Sequence, residues 1–573
     1  MTLVFFSPYS AIWKHSEIEL SFLRKVSSSH ADSIFLSCRG LYSSFCNSMS
    51  AFGLNENSSS EAKMGICNIC KKNSNFKEKI GLNVKFIEDY IENSENYLVN
   101  DFMNTVDKNN WTNATFQNIP IGRAALYEIQ LRYKLKNLNL SDEIWRVYLT
   151  QLKYCVQTII AARKVLAQNN ASGAVVYNDL YSLNFAFTSV AKDLKLATYS
   201  LQASGPINDV YSRYSIDDHK FKMRQLIDNP GWNIAKNKPL NFIKIYKISK
   251  FLNGLLSAKS FSVYSSRTTQ VFRRSNFRSK WNIPKDKKIV LVTLSSQDEV
   301  IAELFQNQSL HKNDLISSID LTKRIIEFCK SNTDWFFIVR PHPREFSNKR
   351  EKTNSESGRD LLDFLRSQTL PKNMFISLPE YHISLYQLIF VSDFILNLIS
   401  TAGIESLALG RPVLYMENNL FSAYPRELNI NIDRELRQLN GLYGFSVDKT
   451  HILQQEAFRW LWFKYFLSTE NTFANVSRYS FKLMNISRAA YVRKGIFVPI
   501  LNVLFHLKFA GKHMHAIDDK FVQKFNPGYL DKLYEKEVVD MKFKKTRISI
   551  TKEALFIRLC VNFLRRKIFF ILD

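Results

Sequence analysis

The sequence lacks any run of about 18 uncharged apolar residues, so no membrane-spanning helix is expected in its 573 residues. Thr2 to Pro8 holds a short apolar stretch without a basic leader or a long hydrophobic region, which reads as a first strand and not a secretory signal. Cysteine is sparse. Seven, an odd number in a long chain, argue against a disulfide framework and for a reducing cytoplasm. No RNA-recognition, zinc-finger or helix-turn-helix signature occurs, so nucleic acid is not the expected partner, although the net charge is +26. No Asp-x-Asp pair falls at the end of an expected strand, and no obligatory catalytic metal is expected. Cys38, Cys46, Cys67 and Cys70 nevertheless cluster, the last two as C-x-x-C. They are a candidate structural zinc set, with unpaired thiols as the alternative.

What is present is apolar and aromatic: 46% hydrophobic and 13% aromatic residues supply large cores, and the length implies two or three domains. The most informative stretch runs from Trp335 to Asn418. Trp335 to Val339 is too short for a helix and is followed by Pro341 and Pro343, so it reads as a buried strand emptying into a rigid turn that carries Arg340 and His342. Phe394 to Leu398 is a second buried strand, ending at Ser400-Thr401-Ala402-Gly403, with helical character from Ile404 to Leu409 before Gly410-Arg411-Pro412. Such turns are expected to aim backbone amides at an anion beyond the strand ends. Arg340, His342, Ser400, Thr401 and the Gly403 amide would face a phosphate, and Glu405 the ribose hydroxyls. A plain turn and a plain helix cap are the structural alternatives.

Arg340-Pro341-His342-Pro343, with Ser400-Thr401-Ala402-Gly403-Ile404-Glu405 and Gly410-Arg411-Pro412, resembles the C-terminal half of bacterial surface-polysaccharide glycosyltransferases of the GT-B fold. The relatives are the capsule, Kdo-transferase and polysialyltransferase group and, more distantly, the CDP-glycerol glycerophosphotransferases. The resemblance covers about a quarter of the chain. It implies an α/β protein with two Rossmann-like domains facing a cleft, in which the His-Pro motif contacts the donor phosphate and the Ser/Thr turn with its Glu holds the nucleotide. It further implies a CMP-, CDP- or UDP-linked sugar as co-substrate, no cofactor, and a surface glycan or lipid-linked precursor as acceptor. Transfer of a polyol phosphate from a CDP donor is one alternative; a non-catalytic carbohydrate- or membrane-binding scaffold is another.

The expected organisation is an acceptor domain over 1–255 with an exposed insertion near 53–76, a linker over 256–285, a donor domain over 286–450, and a bracing, basic helical segment over 451–573. The acceptor domain alternates strand and helix: Leu3 to Phe6, Ser33 to Ser37, Gly173 to Tyr177 and Ala197 to Leu201 as strands, with a long helix over Asp142 to Gln168. The loop after the first strand leads to His15, the first candidate for a general base, with Glu17 or Glu19 as its orienting partner. Asp179, after Asn178, is the alternative base. In the donor domain Lys287 to Leu294 is the first strand, and Ser295 and Ser296 lie beside the expected phosphate. Past Asn418 no further strands are expected. From Phe481 to Asp573 there are 19 Lys and Arg against 8 Asp and Glu. Ile496 to Phe509 and Ala554 to Leu572 read either as basic amphipathic helices on an anionic membrane or as helices packed on the protein. The expected location is cytoplasmic, peripheral on the inner face of the cell membrane.

Overall fold

A computed structural model of the chain describes residues 2–26, 32–135, 137–205, 210–217, 230–256, 274–296, 302, 316–346, 355–416, 424–432, 436–442 and 447–472, together with 553, 554, 556, 557, 560 and 561. It is an α/β protein built on two mainly parallel sheets, each wound by helices. The first sheet contains β1 (Thr2–Phe6), β2 (Ile34–Ser37), β3 (Asn83–Phe86), β4 (Ala171–Tyr177), β5 (Ala197–Ala203) and β6 (Arg213–Asp217). The second contains β7 (Lys288–Thr293), β8 (Trp335–Arg340), β9 (Met374–Ile376), β10 (Phe394–Asn397), β11 (Val413–Met416) and β12 (Ile430–Ile432). A last short strand, β13 (Glu470–Asn471), returns to the first sheet.

Across the first sheet the order is β13-β6-β5-β4-β1-β2-β3; across the second it is β9-β8-β7-β10-β11-β12. All pairs of the second sheet are parallel. So are those from β3 to β5, whereas β6 and β13 pair antiparallel at the edge. Each sheet therefore starts in its middle, grows outward through two strands, and then crosses to the other side of its first strand. That is the doubly wound order, in which the loops on either side of the crossing point diverge and leave a crevice at the strands' carboxyl ends.

The strands are continuous apolar runs because both faces are covered. Val4 and Phe6 enter one core while Leu3 and Phe5 enter the opposite one; Ile289 and Leu291 part from Val290 and Val292 in the same way. The covering helices relevant to function are α1 (Trp13–Val26), α2 (Ser60–Lys79), α3 (Tyr127–Tyr133), α4 (Asp142–Gln168) and α5 (Ser182–Asp193) on the first unit. On the second are α6 (Phe242–Leu256), α7 (Ser318–Ser331), α8 (Leu385–Val391), α9 (Ala402–Ala408) and α10 (Val447–Trp462). α4 has the bounds its periodicity implied, with Ser141 capping it through the Ile144 amide.

Four expectations need correction. The stretch 53–76 is not an exposed insertion: most of it is α2, whose Ile66, Cys67, Cys70, Asn73 and Lys77 are buried, because a polar composition at helical spacing still leaves one face for the core. The boundary at 255 is too late, since Trp232, Ile245, Phe251 and Leu252 share a core with Ile289, Leu291 and Trp460 of the second unit. Strands do continue past Asn418, as β12 and β13. Finally, Phe556, Ile557, Cys560 and Val561 are buried with Phe242 in that same core, so this part of the C-terminal stretch packs on protein and not on a bilayer. Glu553 fastens it, accepting from the Leu240 amide at 2.9 Å and from Arg459 at 2.5 and 3.1 Å. The segment Ile496 to Phe509 and most of the basic tail lie outside the described residues, as does most of the expected linker. Among the described residues no helix is long and apolar enough to cross a membrane.

One buried charge organises the end of β1. The Lys77 ammonium, with its side chain fully buried, donates to Ser7 at 2.8 Å and Ser10 at 3.4 Å and pairs with Glu19 at 3.5 Å. Ser7 in turn donates to Glu19 at 2.7 Å. Burial lowers the lysine pKa, and Glu19 partly restores it. Lys77→Met leaves Glu19 buried without a cation and is expected to cost about 3–5 kcal/mol. Urea unfolding of Lys77→Met and of Lys77→Met/Glu19→Gln checks this: the double variant should recover most of the loss, and an equal loss in both would show that the pair is not its source.

Candidate functional site

The three turns that the sequence placed at the donor site follow β7, β8 and β10, which are neighbours in the second sheet and end at the same edge. The structure ties them together. The Ile399 amide donates to Ser295 Oγ at 3.0 Å, joining the turns after β7 and β10, and the Leu294 amide donates to the Arg340 carbonyl at 3.1 Å, joining those after β7 and β8. A third tie comes from the first unit. Lys134, directly after α3 and held in the left-handed region at φ +50°, donates to Ser296 Oγ at 3.0 Å and to the carbonyl of Arg344. It is 3% exposed, a buried cation where the two units meet. Nothing in its local sequence, between Tyr133 and Leu135 with Arg132 and Lys136 close by, distinguishes it; only the three-dimensional meeting of α3 with two loops does.

Within this frame several side chains do a different job from the one expected of them. Arg340 is 5% exposed, and its Nη1 donates to the Ser377 carbonyl and hydroxyl, both at 3.0 Å, and to the Leu378 carbonyl at 3.1 Å. Burial brings its pKa down to about 10. Through Nη1 it staples the loop after β9 to the end of β8. Ser295 is likewise buried in its tie to Ile399. α9 has only seven residues, and its first amides are spent locally: Ala402 N on Ser400 Oγ, Gly403 N on the Ser400 carbonyl, Glu405 N on the Thr401 carbonyl. The Gly403 amide is thus not an open anion donor.

Gly403 is instead a packing requirement. A β-carbon there would overlap the Tyr424 hydroxyl and lie 2.7 Å from Asn397 Nδ2. Asn397 is the centre of a buried polar ladder, accepting from Thr293 at 2.7 Å and donating to the Ser400 carbonyl at 2.9 Å, while Tyr424 donates to Asn429 at 2.6 Å. The ladder fixes the path of the chain between β10 and α9.

At this edge His342, Ser296 and Ser400 are half-buried and Thr401 is exposed. His342 Nδ1 accepts the Arg344 amide at 3.1 Å. In the neutral ring that bond leaves the proton on Nε2, so the imidazole presents a donor.

Glu405 is buried at 6% exposure, and its Oε2 accepts from the Tyr386 hydroxyl of α8 at 2.9 Å. Burial lifts its pKa to about 7, with Tyr386, Lys464 and Thr401 pulling the other way. It lies beneath the edge, not on it, and is out of place for a ribose.

On the first sheet, His15 and Asp179 follow β1 and β4, the two strands at the crossing point. His15 is 6% exposed, stacked on Tyr177 with ring centroids 3.6 Å apart, and its Nδ1 has no hydrogen-bond partner among the described residues. Burial, with Lys77 adding repulsion, drops its pKa to about 3. Glu17 pairs with Lys14 at 2.7 Å and Glu19 with Lys77, so the expected carboxylate–imidazole arrangement does not form. Asp179 accepts from Ser200 Oγ at 2.8 Å and is 9% exposed; Asn178 before it turns the chain at φ +58°.

The N-terminal cysteines do not form a metal site. Cys38 lies against Glu88 at 3.7 Å, Cys70 accepts the Ala11 amide at 3.2 Å, and among the described residues no group of three or more His, Cys, Asp or Glu is placed to hold an ion. Burial holds the thiols protonated, raising Cys46 to about 12 and Cys70 to about 11.

No family model matches the chain, and no curated protein does. Among solved structures it is similar to the Thermosulfurimonas dismutans KpsC β-Kdo 2,4-transferase, at 14% identity over 50% of this chain and 79% of that one, TM-score 0.31. It is similar also to the Neisseria meningitidis UDP-GlcNAc 2-epimerase bound to UDP-GlcNAc, at 12% identity over 80% and 93%, TM-score 0.26. The glycosyltransferase SnogD from Streptomyces nogalater is a third, at 12% identity over 80% and 95%, TM-score 0.22.

Glu405 gives this site a measurable signature. A carboxyl whose folded pKa exceeds its unfolded value binds its proton more tightly when folded, so stability falls as pH rises from about 4.5 to about 7. From those two values the loss is about 3 kcal/mol. Urea unfolding at pH 5 and pH 8 should show that loss in the native protein and little of it in Glu405→Gln; equal slopes would place the titration elsewhere.

Proposed function

We propose that this chain is a glycosyltransferase that moves a sugar from a nucleotide-activated donor to a glycan or lipid-linked glycan acceptor. The observation that carries the reading is the knot at one edge of the second sheet: three turns after adjacent parallel strands, tied by Ser295, Leu294 and Lys134, with His342, Ser400 and Thr401 beside them at least partly accessible to solvent. Open α/β sheets bind nucleotides at this place.

In this reading His342 donates from Nε2 to a donor phosphate oxygen, Ser400 and Thr401 donate hydroxyls, and Lys134 and Arg340, both buried and bonded to loop atoms, contribute fixed positive charge from behind the edge. As the bond between the anomeric carbon and phosphate oxygen breaks, negative charge grows on the leaving nucleotide, and donors already in place stabilise it without reorganising. The acceptor oxygen attacks the anomeric carbon and its proton passes to a base. An imidazole with a pKa near 3, stacked on Tyr177, is a poor one. Asp179, oriented by Ser200 at the crossing point of the first sheet, takes that role here.

Thermal shift with CMP, CDP, UDP and GDP tests the donor site. One nucleotide should raise the melting temperature, and its affinity should fall about tenfold or more in His342→Ala and in Lys134→Met. Unchanged affinity in both variants would remove this edge from nucleotide binding, and no stabilisation by any nucleotide would leave the scaffold alternative. Product mass distinguishes a transferred sugar from a polyol phosphate. For the base, Asp179→Asn should lower kcat by about 10²–10⁴ with nucleotide affinity unchanged; full activity in that variant would exclude it.

A further inference from the structure

A cavity of about 480 Å³ opens in the first unit, away from the knot of donor loops. Its walls are the loop after β2, the start of α2, the helix α3 and the first turns of α4, so it lies beyond the carboxyl ends of the first sheet. Its volume is in the range of small-molecule sites.

Glu128 of α3 stands in the wall at 8% exposure. One carboxylate oxygen accepts from the Ser182 amide at 3.0 Å and from Asn47 Nδ2 at 3.1 Å. The other, Oε2, is buried and has no hydrogen-bond partner among the described residues. An acceptor left in this state is costly unless something donates to it. Three cations line the cavity, Lys63, Arg132 and Arg146, the last donating from Nε to the Asp142 carbonyl at 3.4 Å. Arg132, one turn along α3, is paired with Glu56 and lies 4.3 Å over the Phe45 ring, and Lys63 donates to the Glu56 carbonyl at 2.6 Å. Tyr133 completes that group, donating to Glu56 Oε2 at 3.3 Å. What Glu128 Oε2 lacks is a donor, and a hydroxyl supplies one without adding charge. Ile129, Val147 and Met64 add apolar wall of the kind that meets the C–H face of a sugar ring.

We infer that this cavity binds a neutral, hydroxyl-bearing pyranose unit, with a ring hydroxyl donating to Glu128 Oε2. Its place suits the acceptor side of the proposed transfer, on which this assignment of role rests: α3 forms the wall through Glu128 and Arg132, and two residues later Lys134 touches the donor loops at Ser296. A sugar held here sits on the element that joins the two units. An anionic sugar would bring its carboxylate against Glu128, and the site disfavours it.

The test is saturation-transfer NMR on the full chain with methyl β-D-glucopyranoside, methyl β-D-galactopyranoside and methyl N-acetyl-β-D-glucosaminide, and with methyl β-D-glucuronide as the charged counterpart. At least one neutral glycoside should show transfer, weakened about tenfold or more by Glu128→Gln, which turns an amide N–H toward the ligand hydroxyl. Thr150→Trp, which fills the cavity without touching Glu128, should abolish it even if the first variant folds poorly. Both variants should keep the nucleotide thermal shift. Absence of transfer from every neutral glycoside, transfer undiminished in both variants, or stronger transfer from the glucuronide would each overturn the inference. Loss of nucleotide binding in the native protein would instead count against the transferase reading, while the glycoside result still decides the cavity.

Discussion

The strand order of the two sheets is the constraint from which the rest follows. A parallel sheet that starts in its middle must send its chain first to one side and then to the other, and the loops on either side of that crossing point cannot fill the space between them. In the second sheet this happens between β7 and β10; in the first, between β1 and β4. Everything assigned a functional role hangs from those two edges. The buried polar groups there, Lys77 with Glu19 and Asn397 with Thr293 and Tyr424, hold the divergent loops in fixed paths, because each is satisfied only when several loop atoms are in place.

A second consequence concerns charge. The sequence offers Arg340 as the obvious cation for a phosphate, yet β8 is buried on both faces to its last residue, and a guanidinium at that position turns back to the carbonyls of the next loop. A further cation reaches this edge from the other unit. Lys134 reaches Ser296 and Arg344 only because the residue after α3 adopts a left-handed conformation that turns the chain toward the second sheet. Binding at the donor edge and the approach of the two units are thereby linked through one ammonium group.

Much of the fold was legible in the sequence. The strands β1, β4, β7, β8 and β10 are short apolar runs bounded by turn residues, and burial on both faces makes such runs unambiguous. The Asp142 to Gln168 helix was plain from its period. Less legible was α2, whose many Asn, Ser and Lys residues mask a narrow buried face, and whose Lys77 is buried against expectation for its type. The short strands β12 and β13 carry two or three residues each and leave no periodic trace. Motif reading brought the turns after β7, β8 and β10 to one edge, but not the contacts within them. How Arg340 is bonded, whether Gly403 serves as a donor or as a gap for Tyr424, and whether His15 is open or stacked on Tyr177 depend on Ser377, Tyr424 and Tyr177, all distant in sequence, and no local pattern encodes them.

The central claim is that the turns after β7, β8 and β10 grip the phosphate of a nucleotide. A crystal structure with the best-bound of CMP, CDP, UDP or GDP tests it directly. The account predicts a phosphate oxygen within hydrogen-bonding distance of His342 Nε2 and of the Ser400 or Thr401 hydroxyl, with the nucleoside in the crevice between β7 and β10. A nucleotide lodged elsewhere, with these side chains untouched, would contradict it.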